Sequence, residues 1–165
     1  MTDEVDEIVR AWQAERPDLE LAPIEVLSRV SRIARLLDDR RERAFAEHGL
    51  AAHEFDVLAA LRRSGAPYER TPGQLIEATH VTSGTMTNRL DRLAERRLVQ
   101  RRAHPVDGRQ VIIRLTGTGR RRVDAAFEAL LVSERELLAG LSAAQRTGLA
   151  AGLRRLLGLA SELSD

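Results

Sequence analysis

The sequence predicts a mainly α-helical chain with one short β-hairpin, and three observations carry that expectation. Apolar residues recur at helical spacing along most of the 165 residues. Only Leu98 to Ala103 and Gln110 to Leu115 read as strands, and they flank a Pro105-Val106-Asp107-Gly108 turn. A chain of this length, 43% hydrophobic and 31% charged, can bury one core but hardly two, so one domain spanning residues 1–165 is expected.

The elements follow in order. Val5, Ile8, Val9 and Trp12 form an apolar stripe on a short first helix, which Pro17 stops. A longer helix runs from about Pro23 to Ala46, with Ile24, Leu27, Val30, Ile33, Ala34 and Leu37 on one face, and His48-Gly49 ends it. Ala52 to Arg63 repeats the pattern with Phe55, Leu58, Ala59 and Leu61 until Ser64-Gly65-Ala66-Pro67 breaks it. Thr71-Pro72 opens a short helix through Ala78, threonine as N-cap and proline in the first turn. Thr82 caps the next, which runs to about Arg97. Two short capped helices in succession predict a helix-turn-helix, and the hairpin behind them a wing. Two helices close the chain, Gly117 to Leu138 and Ser142 to Glu162, the last rich in leucine.

Charge is distributed unevenly. Residues 89–122 hold eleven arginines against Asp91, Glu95 and Asp107, a local +8 in a chain whose net charge is +1. Residues 1–20 hold seven acids and two arginines. A concentrated cationic stretch on a helix-turn-helix points to a polyanion, and double-stranded DNA is the one that this unit fits. On the third short helix Met86, Leu90 and Leu93 share one arc and should be buried. The opposite side presents Gly84, Thr85, Asn88, Asp91 and Arg92: small residues that permit close approach, an amide able to pair with adenine, and an arginine for guanine or phosphate. Ser83 and Thr87 join that surface. Arg109, after the Asp107-Gly108 turn, can project from the wing tip toward a minor groove. Arg102, with Arg101, Arg120, Arg121 and Arg122, fits phosphate contact or solvated charge. Arg89 sits roughly 60° from the mean of the buried arc, turned toward the protein body, where a guanidinium needs an anionic partner such as Asp56 or a bound anion.

Several classes are excluded or disfavoured. With no cysteine, disulfides and thiolate chemistry are impossible. His48, His53, His80 and His104 lack paired metal spacing, and no nucleophile elbow or phosphate-cradling glycine loop occurs, so an enzyme, a metal site or a cofactor is not expected. The acidic N-terminus lacks an apolar h-region and no long apolar run exists, which predicts a cytoplasmic protein without a membrane span.

Thr82-Ser-Gly-Thr-Met-Thr-Asn-Arg-Leu-Asp-Arg-Leu, the Asp107-Gly108-Arg109 turn and Leu115-Thr116-Gly117-Thr118-Gly119-Arg120 carry a resemblance to the MarR family of winged helix-turn-helix regulators. The resemblance covers nearly the whole chain. It implies a helical dimerisation lobe (about 1–50 and 117–165), a DNA-binding lobe (about 52–115), and an obligate homodimer on a pseudo-palindromic operator. The additional first helix with Val9-Arg10-Ala-Trp12 and Glu15-Arg16-Pro17-Asp18-Leu19, followed by Phe55-Asp56-Val57-Leu58, is similar to the urate-responsive branch of that family. That likeness implies a small anionic ligand framed by Trp12, Asp56, Arg89 and Arg101. Relatives with the same set answer to tricarboxylates such as trans-aconitate, so urate, another purine and a tricarboxylate all stay open. Each residue also has a plainer reading: Trp12 as an interface or core anchor, Asp56 as a carboxylate in the first turn of a helix, favoured there by the dipole, Arg101 as a phosphate contact. The functional alternative is a constitutive DNA binder governed by a protein partner or by expression level.

Overall fold

The computed structural model describes residues 2–103 and 110–163. Seven helices and three short strands follow in the order α1 (Glu4–Glu15), α2 (Ala22–Ala46), α3 (Ala52–Arg63), β1 (Glu69–Arg70), α4 (Pro72–Thr79), α5 (Ser83–Glu95), β2 (Val99–Ala103), β3 (Val111–Leu115), α6 (Gly117–Leu138) and α7 (Ala143–Glu162). The prediction of a mainly α chain with a small hairpin therefore holds.

Local signals explain most boundaries. Asp3 caps α1 and forms a reciprocal capping box with Asp6. α2 ends where Gly49 adopts φ +64, letting the Gly49 N–H reach the Ala46 carbonyl and the Leu50 N–H reach Phe45. Thr71, Thr82, Thr116 and Ser142 cap α4, α5, α6 and α7 through their hydroxyls.

One core joins the elements. Phe45 of α2 stacks on Phe55 of α3 with centroids 3.9 Å apart, and Leu58, Leu61, Leu75, Met86, Leu90, Leu93, Ile113 and Val123 fill the space between α3, α4, α5, α6 and the sheet. Burial of Met86, Leu90 and Leu93 matches the arc read from the sequence.

The sheet has three strands, not two, in the order β1-β3-β2, all antiparallel. Glu69 and Arg70 pair with Arg114 and Ile113, so β3 is central rather than an edge. A two-residue strand has no period to detect, and its pairing is set by Tyr68, whose carbonyl accepts from the Leu115 N–H. α5 is also shorter than expected. It stops at Glu95, and Arg97, anticipated as part of the helix, adopts φ 55 so that the Leu98 N–H can close onto Leu93. No glycine marks that turn, so the sequence concealed it.

The Leu115-Thr-Gly-Thr-Gly stretch welds α6 to the unit before it. Thr116 Oγ1 donates toward the Arg97 and Leu98 carbonyls and accepts from the Gly119 N–H. Gly119 lies so close to the Leu98 carbonyl that a Cβ would overlap it. The second glycine of the motif is therefore a packing requirement.

Candidate DNA interface and effector site

The helix-turn-helix consists of α4, a reversal at left-handed His80, and α5. Ser83, Gly84, Thr85, Thr87, Asn88 and Arg92 are all exposed on α5, and Arg102 is exposed on the adjoining strand β2. Gly84, Asn88 and Arg92, spaced by four, form one row along the helix. A Cβ at Gly84 would meet nothing within 4 Å. The fold does not demand a glycine there, unlike at Gly119, which leaves its smallness free to serve something outside the chain. Arg109 and the Asp107-Gly108 turn lie outside the described residues.

One pair on this surface was not expected from the sequence. Asp91, read as part of the open face, accepts from Arg101 Nη2 at 2.6 Å, so its carboxylate is neutralised from β2. Arg101 is thereby pinned to the reading helix by a group that the sequence reading did not pair with it. The spacing of ten residues across a helix end and a strand start hid the contact.

Trp12, Asp56, Arg89 and Arg101, anticipated around a ligand, form no ion pair with one another among the described residues. Asp56 sits in the second turn of α3 and not the first, because the helix already begins at Ala52; it is half-buried, with Arg41 of α2 at 3.7 Å. Arg89 is half-buried and has no ion pair among the described residues. Trp12 is 50% exposed near the far end of α1. α1 is held on the first half of α2: Arg29 donates to Asp3 at 2.8 Å and Asp6 at 2.5 Å, and Arg32 reaches Glu4 at 3.1 Å. These guanidiniums hold the Asp3 and Glu4 carboxyls below their ordinary range, and the Asp3 N–H followed by Arg29 does so for Asp6.

A cavity of about 320 Å³ opens between α3 and α6, one residue from Asp56. Phe55, Ala59, Val123 and Phe127 give it an apolar floor, and Arg62 and Asp124, paired at 2.7 Å, stand at its rim with Arg63. None of Trp12, Asp56, Arg89 or Arg101 is among its walls.

One charged group went unnoticed in the sequence. Glu54 is buried at 7% exposure, the lone buried charge among the described residues. Arg96 Nη1 donates to its two oxygens at 2.5 and 2.6 Å, while Nη2 donates to the Gly49 carbonyl at 2.5 Å. Glu54 also accepts from the Ala51 N–H. Burial pushes the Glu54 carboxyl up, but the Arg96 hydrogen bond, the Ala51 N–H and the Arg96 and His53 charges outweigh it and hold the group below its usual range. This strut ties the end of the reading helix to the α2–α3 corner. Its only sequence signal was a glutamate at N3 of a helix, the position of a capping-box carboxylate.

A model of the MarR family matches residues 48–110, a span that holds α3, β1, the helix-turn-helix and β2. The chain is 39% identical over 153 residues to the HTH-type transcriptional regulator PecS of Dickeya dadantii, covering 93% of this chain and 92% of that protein. Among solved structures, a cysteine-to-serine mutant of Escherichia coli MarR complexed with operator DNA superposes with a TM-score of 0.68 at 24% identity, covering 94% of this chain and 99% of that one. Bordetella bronchiseptica BpsR, whose DNA binding is regulated by 6-hydroxynicotinic acid, gives 0.59 at 26% identity over 78% and 98%. A winged helix-turn-helix with an exposed cationic reading face defines a DNA-binding transcriptional regulator rather than an enzyme. The chain belongs to the MarR family.

Proposed function

We propose that the protein is a homodimeric repressor that occupies a pseudo-palindromic operator when empty and leaves it when a small anion binds. The observation that carries this reading is the division of labour on α5. Gly84, Asn88 and Arg92 are exposed in a row, whereas Arg89 is half-buried with no anion paired to it among the described residues. Ser83, Thr85, Thr87, Arg102 and Arg109 complete the proposed DNA contacts, the arginines of β2 and the wing serving phosphate or minor groove.

A ligand anion near Arg89 supplies the charge that its position needs, and its own negative charge repels Asp56 from the same neighbourhood. Arg101 shares between Asp91 and the anion, and Trp12 supplies an aromatic wall. The apolar cavity beside Asp56 has room for a small ligand body, and urate, another purine and a tricarboxylate such as trans-aconitate are the candidates. The operator is read by two helices about one turn of DNA apart, so a small change in their separation loses register.

Dimerisation is supported by exposed apolar surface. Val26, Leu27, Ile33 and Leu36 on α2, Phe127, Leu131, Val132 and Leu138 on α6, and Leu149, Leu153, Leu157 and Leu159 on α7 are all open to solvent in the single chain. Together they expose on the order of 1,000 Å² of side chain, more than a monomer leaves bare and about what a stable interface covers per partner.

Titrating urate, xanthine and trans-aconitate against a labelled duplex from upstream of the protein's own gene tests the reading. At least one should weaken the complex, by a coupling of about 1–3 kcal/mol. Indifference to all three, with tight DNA binding retained, would favour the constitutive alternative.

A further inference from the structure

We propose that the cleft between α3 and α4 is an oxyanion site, built from Arg63, Arg70 and Gln74, that takes a backbone phosphate of bound DNA outside the groove read by α5. The inference rests on the DNA-binding reading above and extends it to residues that lie outside the basic stretch 89–122.

The cleft holds about 300 Å³ and is lined by Ala60 and Arg63 of α3, Arg70 of β1, and Gln74, Glu77 and Ala78 of α4. Each helix contributes residues three or four apart, and so one face. Arg70 is half-buried, and its guanidinium makes no hydrogen bond or ion pair among the described residues, Nε being enclosed without an acceptor. A buried donor is nearly always paired, and a partly desolvated guanidinium needs a counter-charge. Arg63, exposed at the end of α3, is likewise without an acceptor or an acid among the described residues.

The neighbouring acids are already engaged. Asp124 is paired with Arg62 at 2.7 Å, and Glu69, the residue before Arg70, with Arg114 at 3.6 Å. Glu77 lines the cleft but pairs with neither arginine among the described residues, which leaves two guanidiniums against one carboxylate. Gln74 Oε1 accepts from the Thr71 N–H at 3.0 Å, so its amide NH2 remains as a further donor. Forked guanidiniums beside an amide donor suit an oxygen-rich anion. The source of that anion follows from position. When a reading helix lies in the major groove, the helix before it crosses the DNA backbone. Arg70 stands where the wing sheet meets that helix, since β1 pairs with β3 and leads into α4.

The test is duplex binding across a salt series for the full chain and for Arg63→Ala, Arg70→Ala and Glu77→Gln, with thermal unfolding of each. The salt slope should fall by about one in either arginine variant. Glu77→Gln, which removes the one repelling charge, should bind about twofold or more tighter at low salt. Arg63 and Glu77 are exposed, so those two variants decide the matter even if Arg70→Ala unfolds. Slopes equal to wild type in the folded arginine variants overturn the site, while a slope lowered by Arg92→Ala in the same series keeps the reading helix on DNA. Inorganic phosphate without DNA separates the two sources of the anion. If it raises the Tm of wild type but not of the arginine variants, and their DNA slopes are unchanged, the cleft holds a free anion and the backbone contact is wrong. No duplex binding by wild type overturns this site and the DNA-binding reading together.

Discussion

Glu54 shows how one residue can matter without touching a ligand. Its carboxylate is enclosed, so removing Arg96 leaves a buried charge with only the Ala51 N–H to hold it. Arg96 is about a third exposed, which discounts the full penalty of a buried pair; Arg96→Ala should cost about 2–3 kcal/mol by urea denaturation, and Glu54→Gln less. Because the folded-state Glu54 carboxyl titrates below its unfolded value, its contribution is complete above the ordinary carboxylate range and is lost as pH falls through the folded value. Glu54→Gln should therefore flatten the acid limb of the stability curve. Gly84 argues the opposite case. With open space around it, Gly84→Ala should stabilise the fold by about 0.5–1 kcal/mol in the same assay while weakening binding to duplex DNA, since a methyl group now stands at the closest approach. Equal or tighter DNA binding by that variant would remove Gly84 from the interface. The role of Gly119 could not be told from that of Gly84 in the sequence, because only the Leu98 carbonyl from another element distinguishes them.

At the scale of elements, caps and periodicity made the bounds expected for α2 to α7 legible to within two residues, the end of α5 being the furthest off. What the sequence withheld depended on partners distant along the chain: β1 exists because β3 is there to pair with it, and Arg97 turns left-handed because Leu98 must enter the core. Arg97→Gly should stabilise the protein by about 1 kcal/mol in thermal unfolding, by relieving a conformation that a side chain disfavours. The docking of α1 was also hidden, since the acidic N-terminus gave no hint of which arginines it meets. Asp3, Glu4 and Asp6 all titrate below their ordinary values, so α1 is held firmly above that range and loosens as pH falls through the depressed values. Acid titration should shift Trp12 emission before circular dichroism reports global unfolding; coincident transitions would mean that α1 and the core unfold together. For α5 the two roles of arginine separate by salt. Arg89→Ala should abolish the effector response and leave the salt dependence of DNA binding unchanged, whereas a slope lowered by about one would place Arg89 on phosphate.

At the scale of the whole molecule, the chain presents two unfinished surfaces, a cationic reading face and an apolar face on α2, α6 and α7. The first was legible from the arginines of residues 89–122 and the second from the leucines of the last helix. The proposed ligand site was legible only as a set of residue types; the ion pairs that Asp56 makes with Arg41 and Arg101 with Asp91 could not be read from their spacing. Equilibrium binding to a duplex from the protein's own upstream region, measured from low to moderate salt for wild type and Arg92→Ala, tests the central claim most directly. Tight binding that falls steeply with salt, and a slope smaller by about one in the variant, is the predicted result. Binding by Arg92→Ala identical to wild type at every salt concentration, or no binding by either, would contradict it.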